Sequence, residues 1–336
     1  MDNKKIRIGL VGVANHGATI LQAILNANNL ELISCYDINR DVLAEVEKRY
    51  KIPGAKNFNA LVQDTAIDAV ALSTPNHLHL EQVRAAAGAG KHVFLEKPIA
   101  NTVQEGKEII RLMNNAGCML SVGHNARRKR TFRKAKELLD NDAIGKVVGI
   151  EANLSRPAGL QEALPQWKTD SETCPLLPMM QLGIHFVDTI SYLVSPVRSV
   201  SCIAGTVAMN DATYDSSAAL LHLESGVPAA LSSYYVTPEV YYLKLYGTVG
   251  SIYCGASELR LLQTKDYKQY TVTNEDYSDE GMESYILEMT EFGECILKNK
   301  ESETSGIVGL NALAVIEGMV QSFETGKSVL IKDILQ

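Results

Sequence analysis

The chain has no Cys-x-x-Cys pair, and its six cysteines, at 35, 118, 174, 202, 254 and 295, lack the spacing to histidine that marks a metal site. Zinc ribbons and disulfide frameworks are therefore excluded, and reduced thiols in a cytoplasmic protein, with no metal, are the expectation. Neither a low-complexity tract nor a repeat of fixed period occurs, which leaves an ordinary globular composition of 46% hydrophobic and 21% charged residues. Basic residues are outnumbered, 32 against 39, and a net charge of -7 argues against a sequence-independent nucleic-acid binder, whose affinity rests on clustered Lys and Arg. No window approaches the roughly 18 contiguous apolar residues of a membrane span, so no membrane partner is expected. The opening stretch to Ala14, a basic head and then an apolar run, mimics a signal peptide but reads better as a first strand.

What is present is a rhythm. At 336 residues two domains are expected. Over residues 1–124 short apolar runs (6–11, 30–36, 69–73, 93–95, 119–122) alternate with amphipathic stretches (18–26, 40–50, 80–89, 103–115). Continuous apolar runs mark strands buried on both faces, and their alternation with helices predicts an α/β, Rossmann-type doubly wound parallel sheet. After a basic helix at 127–139 come strands at 147–154, 197–207, 217–223, 229–236, 241–246 and 251–253, with helices near 180–193, 285–297 and 308–323. That predicts an α+β domain with a large, mostly antiparallel sheet. The expected boundaries are 1–124, 125–304, and a return helix at 305–336 packed near the first domain.

Directly after the first strand stands Gly12-x-Ala14-x-x-Gly17, with Asn15 and His16 between, a form of the dinucleotide fingerprint that opens a helix. The same pattern also fits a plain strand-to-helix turn. Asp37 lies 20 residues beyond Gly17, followed by Ile38 and Arg40. A carboxylate there can hold ribose hydroxyls and repel a 2'-phosphate, favouring NAD over NADP, although Arg40 could reverse this; alternatively Asp37 caps the next helix. Ser73-Thr74-Pro75-Asn76 and His79 follow the third apolar run, and Glu96-Lys97-Pro98 the fourth, both at strand ends where ligands lie in doubly wound sheets. Each has a plainer reading, as a generic loop and as an exposed Glu–Lys pair.

These motifs, with Gly123-His124 and Gly183-x-His185-x-x-Asp188, resemble the glucose-fructose oxidoreductase, inositol dehydrogenase and MocA (Gfo/Idh/MocA) family, in order and spacing over nearly the whole chain. The resemblance implies a nicotinamide cofactor in the first domain, held by the residues named above from Gly12 to Pro98. It also implies a second-domain sheet that walls the substrate pocket and joins subunits, as a homodimer or homotetramer. Lys97 matches the family lysine that meets substrate and nicotinamide ribose, and His185 the histidine that exchanges the hydroxyl proton. Where polyol dehydrogenases carry an acid four residues before that histidine, this chain has Gln181. Positions four apart on a helix share a face, and glutamine cannot take a proton, so His185 would ionise alone. Asp188, one turn on, could orient the ring, cap, or bridge domains. The family's glycine cluster is replaced by Pro175-Leu176-Leu177-Pro178.

His124 and Asn125 are candidate pocket residues, and Arg127 could bind an anionic group of the substrate. The basic residues after it read as a solvated helix face. Trp167, the one tryptophan, could stack on a sugar or plug a core. The expected activity is an NAD(P)-dependent hydride transfer involving a secondary alcohol of a sugar, cyclitol or derivative. The alternatives are an NAD-retaining glycosidase and a non-catalytic dinucleotide-binding regulator.

Overall fold

The computed structural model describes residues 4–161, 164–209 and 214–336. Chain contacts divide it into two units, one of Met1–Asn125 with Met282–Leu310, the other of Ala126–Gly281 with Asn311–Gln336.

The first unit begins β1 (Ile6–Val11), α1 (His16–Asn26), β2 (Leu30–Tyr36), α2 (Arg40–Tyr50), α3 (Phe58–Val62), β3 (Ala69–Leu72), α4 (His79–Gly88), β4 (His92–Glu96), α5 (Val103–Asn115) and β5 (Leu120–Gly123). The five strands are parallel in the order β2-β1-β3-β4-β5. β3 and the core of β4 are wholly buried, as their unbroken apolar runs require. The chain order reverses between β1 and β3, and the crevice beyond the carboxyl ends of those two strands is where such sheets take ligands.

The second unit contains α6 (Arg130–Asp140), β6 (Val147–Ser155), α7 (Ala158–Gln161), α8 (Gln166–Thr169), a π-helical turn at Met179–Gly183 that runs into α9 (Ile184–Leu193), and strands β7 (Val197–Gly205), β8 (Ser216–Leu223), β9 (Pro228–Tyr234), β10 (Val240–Gly247), β11 (Gly250–Gly255), β12 (Glu258–Thr264) and β13 (Tyr270–Asp276). The chain then forms α10 (Glu283–Lys298) and α11 (Gly306–Thr325), and finishes in β14 (Val329–Leu330) and α12 (Ile331–Ile334). The sheet has nine strands in the order β13-β12-β11-β10-β6-β9-β8-β7-β14, antiparallel except for the β6–β9 pair. Its inner face carries Ile150, Leu221, Leu231, Leu243, Ile252 and Leu261. Rings of α6 and α9 meet beside it, Phe132 edge-on to Phe186 at 5.9 Å and Phe186 edge-on to Tyr241 at 5.0 Å.

Three differences from the sequence reading have physical causes. Strands β13 and β14 were not expected, since β13 buries almost nothing and β14 spans two residues; β12 was not expected either, although its Leu259 and Leu261 alternate inward. The boundary expected at 304 does not match the contact units: α10 lies in the first, because its stripe of Met289 and Phe292 joins the core of Ile8, Ile20 and Ile24, with Phe292 edge-on to Phe94 at 5.9 Å. The expected return helix divides between the units, residues 311–336 falling in the second, where Ser322 Oγ accepts the Cys202 N–H at 3.0 Å. α11 is also long and apolar enough, with a mean hydropathy of 1.4, to cross a membrane by length and composition, contrary to the expectation that no window approaches a span. Of that window 61% is buried in protein, as in a core helix.

Candidate active site

The carboxyl edge of the parallel sheet gathers the expected cofactor residues. Gly12 follows β1 with φ +81°, and a Cβ there would stand 2.3 Å from the Ser73 carbonyl oxygen, so the β1 and β3 loops touch backbone to backbone. A Cβ on Gly17 would meet the Gly12 carbonyl oxygen at 2.1 Å, so only glycine lets α1 begin this close to the strand. Asn15 turns the loop at φ 50° beside Ala14, and the first turn of α1 has no acidic residue and no side-chain cap. A cradle of bare backbone at an uncapped helix start fits a pyrophosphate.

Asp37 is nearly buried at the end of β2; Oδ2 accepts the Val13 N–H and Oδ1 the Asn39 N–H, both at 2.9 Å. It does not cap α2. Asn39 does, accepting from Asp41 and Val42 N–H. Each Asp37 oxygen keeps a lone pair for a ribose hydroxyl. Ile38 is 86% exposed, an apolar side chain left beside that carboxylate. Arg40 is engaged elsewhere: it donates to the Ala55 and Lys56 carbonyls at 3.4 and 2.6 Å.

After β3, Thr74 donates to Gln82 Oε1 at 2.6 Å, Pro75 leads the turn, and buried Asn76 hydrogen-bonds Asn101. His79, expected at the cofactor, is fully buried instead. Its ring lies 3.0 Å from the Thr74 carbonyl and 3.1 Å from the Pro98 carbonyl, so it ties the β3 and β4 loops together. Burial pushes its pKa below the ordinary value, outweighing the carbonyls.

Glu96 is likewise inside rather than open to a ligand: Oε1 meets His16 Nε2 at 3.0 Å and Oε2 accepts the Lys97 N–H at 3.1 Å. Burial alone would raise its pKa, but His16 and Lys97 outweigh it and hold the carboxyl below its usual range. His16 also stands edge-on to Tyr285 at 5.7 Å. Lys97 remains half-buried at the end of β4, and its peptide to buried Pro98 is cis. At the end of β5, His124 is fully buried and Asn125 donates to Ser284 Oγ at 3.3 Å, so neither side chain stands open.

In the second unit, Gln181 and His185 are the partly exposed positions in an otherwise buried run from Leu176 to Ile190. Gln181 lies in the π-helical turn and His185 in α9, so the regular α-helical spacing expected to set them on one face is interrupted between them. The Gln181 amide points Nε2 at Cys174 Sγ, 3.9 Å away, a neighbour that no spacing rule signals. Asp188 does not orient His185. Its two oxygens accept from Arg127 Nε at 2.9 Å and Nη2 at 2.5 Å, a bidentate pair with Arg127 6% and Asp188 2% exposed. Arg127, stacked 5.1 Å from the Tyr192 ring centre, is thus committed to α9 and not to a substrate anion. Arg128, expected on a solvated face, is among the most buried side chains. Trp167 is neither plug nor open platform: it lies half-buried on α8 with Lys168 Nζ 5.4 Å above its ring. Among the described residues no His, Cys, Asp and Glu group could hold a metal.

Residues 6–124 match a model described as an oxidoreductase family, NAD-binding Rossmann fold, and residues 132–253 match one described as the GFO/IDH/MocA C-terminal domain. The chain is 24% identical to a myo-inositol 2-dehydrogenase of Thermotoga maritima, across 98% of this chain and all of that protein. The crystal structure of an oxidoreductase from Desulfitobacterium hafniense superposes with a TM-score of 0.93 at 25% identity, covering 99% of both chains. A levoglucosan dehydrogenase, in complex with NADH and levoglucosan, gives a TM-score of 0.90 at 19% identity, covering 98% of this chain and 100% of that one, which is a likeness of fold.

Proposed function

Because the chain belongs to the Gfo/Idh/MocA oxidoreductase family, we propose that it moves a hydride between nicotinamide and a secondary alcohol of a sugar, cyclitol or sugar derivative. The observation that carries this is the presence of both Lys97, at a ligand-side strand end, and His185, at a partly exposed break in a buried helix. A regulator without chemistry has no need of either.

When bound, the nicotinamide supplies the hydride acceptor or donor. Gly12, Gly17 and the start of α1 hold the pyrophosphate, and Asp37 the ribose hydroxyls. The Asp37 charge favours NAD over NADP, since it repels a 2'-phosphate and Arg40 is engaged with backbone carbonyls. In the oxidative direction His185 takes the hydroxyl proton, a role suited to the side chain that titrates nearest neutral pH. Lys97 stabilises the oxygen as negative charge grows on it, which counts toward rate because that charge develops in the transition state. Gln181 donates to a neighbouring hydroxyl and leaves ionisation to His185. Assembly through the second unit's sheet and a cytoplasmic location complete the reading, the latter resting on six cysteines without the spacing of a disulfide framework.

Purified protein and its His185→Ala variant should be assayed for nicotinamide absorbance change against a panel of polyols and keto-sugars. The variant should bind the dinucleotide normally and lose on the order of 10²–10⁴ in kcat. An unchanged rate and pH profile in His185→Ala would sink the proton-transfer assignment; a parent inert toward the whole panel would sink the substrate class.

A further inference from the structure

His16 is the one residue of the fingerprint turn, from Gly12 to Gly17, whose side chain can gain or lose a proton. It opens α1, and its ring reaches the end of β4, where Nε2 lies 3.0 Å from Glu96 Oε1. The His16 side chain is 44% exposed and that of Glu96 only 7%, so the pair runs from the surface of the turn into the sheet. The fold leaves room for the carboxylate. A Cβ on Gly123 would stand 2.8 Å from Glu96 Oε1 and 3.0 Å from Oε2, so the end of β5 is bare where the carboxylate lies, and Oε2 also accepts the Lys97 N–H.

This arrangement fixes which nitrogen of His16 carries hydrogen. Glu96 is held below the usual carboxylate range in spite of its burial, so it is ionised at neutral pH, and an ionised carboxylate only accepts. Nε2 therefore donates to it. Nδ1 is the open nitrogen, with no partner among the described residues. The other ionisable groups about the pair are Lys97, next to Glu96 in the chain, His79, which feels the Glu96 charge from its buried position, and Tyr285 of α10, edge-on to the His16 ring at 5.7 Å. The first turn of α1 holds no acid.

With hydrogen on Nε2, a neutral ring offers a lone pair at Nδ1, whereas the imidazolium offers a second N–H. The uncapped start of α1 is the place for a pyrophosphate, whose oxygens also only accept at neutral pH. A ring with a carboxylate at one nitrogen and phosphate oxygens at the other is satisfied on both sides only as the cation.

We propose that His16 is a proton-linked ligand of the dinucleotide pyrophosphate: binding draws a proton from solvent onto Nδ1, while Glu96 holds the ring and stabilises its charge. The inference rests on the dinucleotide site alone, so it stands or falls apart from the hydride chemistry.

Titration calorimetry of NADH binding in buffers of different ionisation heat counts the protons taken up, and a series from about pH 6 to 9 follows the affinity. The parent should take up protons, and its affinity should fall with rising pH by up to about tenfold per unit. His16→Gln should bind NADH with neither the uptake nor the slope. Glu96→Gln keeps the shape and withdraws the anion, so the fall should move to lower pH. ADP-ribose, which carries the pyrophosphate without nicotinamide, should show the same uptake as NADH. A parent with flat affinity and no uptake overturns the proposal, as does a His16→Gln variant that keeps the parent's slope. Uptake with NADH but not with ADP-ribose overturns it too, by moving the proton to the nicotinamide end. An unchanged midpoint in Glu96→Gln overturns the part given to Glu96; should that variant fail to fold, His16→Gln and ADP-ribose decide.

Discussion

The Arg127–Asp188 pair shows what a single residue can hide. Each side chain is nearly buried, and both carboxylate oxygens are taken by one guanidinium. Asp188→Ala takes away the acceptor of two buried charge-assisted hydrogen bonds, so it should lower unfolding free energy by about 3–5 kcal/mol in urea titration. Asp188→Asn, which keeps the size and one acceptor but withdraws the charge, should cost less; a loss equal to that of Asp188→Ala would show that the charge and not the packing of α9 is what matters. The pair was invisible in the sequence because its members are 61 positions apart and each alone resembled a site residue. His79 misled for the same reason: a histidine near a ligand-side strand end reads as a ligand until its ring is found between two carbonyls. By contrast Gly12, Gly17 and Asp37 were legible, since a positive φ, a close helix start and an acid at the end of the second strand each demand a residue type at a fixed spacing.

Elements that carry their own boundary chemistry were legible to the residue. α2 and α5 begin where the sequence put them because Asn39 caps one and Thr102 with Glu105 forms a reciprocal capping box on the other. Thr102 Oγ1 accepts the Glu105 N–H at 3.2 Å while Glu105 Oε2 accepts the Thr102 N–H at 3.2 Å. Thr102→Ala should therefore destabilise by about 1 kcal/mol, and Thr102→Ser by much less, in thermal or urea unfolding; a neutral Thr102→Ala would mean that water replaces the cap. Elements without such chemistry were missed. β13 has no buried face and so no period-two signal, and the π-helical turn at Met179–Gly183 differs from an α-helix by a hydrogen-bond pattern that apolar spacing does not encode. Gln181 and His185 still stand out there as partly exposed polar positions, each flanked in sequence by buried apolar residues, Met180 and Leu182, Ile184 and Phe186.

For the whole molecule, the two sheet architectures were legible from the change of rhythm near residue 124, but the return of Met282–Leu310 to the first unit was not, since which core a helix joins depends on partners far away in sequence. The titratable groups scattered through both units act together on stability. Burial lowers the pKa of His79 and His92 from 6.5, so as pH falls past that value the unfolded chain takes protons that the folded chain refuses, and stability drops. Glu96 lies below 4.5, and Asp68 and Asp215 lie below 3.8, so their contributions are present above those values and are lost as pH falls further. On the alkaline side, burial raises the thiols of Cys35 and Cys202 from 9.0 to about 12, so their contribution is lost as pH rises past 9.0 and the unfolded thiols ionise. Urea unfolding across a pH series should accordingly give a plateau between about 6.5 and 9, a first decline just below it and a steeper one below about 4.5. His79→Asn should lower the plateau, because a buried tie between two loops is weakened, yet flatten the first decline, because the group that resists protonation is gone. If the slope between pH 7 and 5 is the same in that variant as in the parent, the acid sensitivity arises elsewhere and His79 takes up its proton in the folded chain as readily as in the unfolded one.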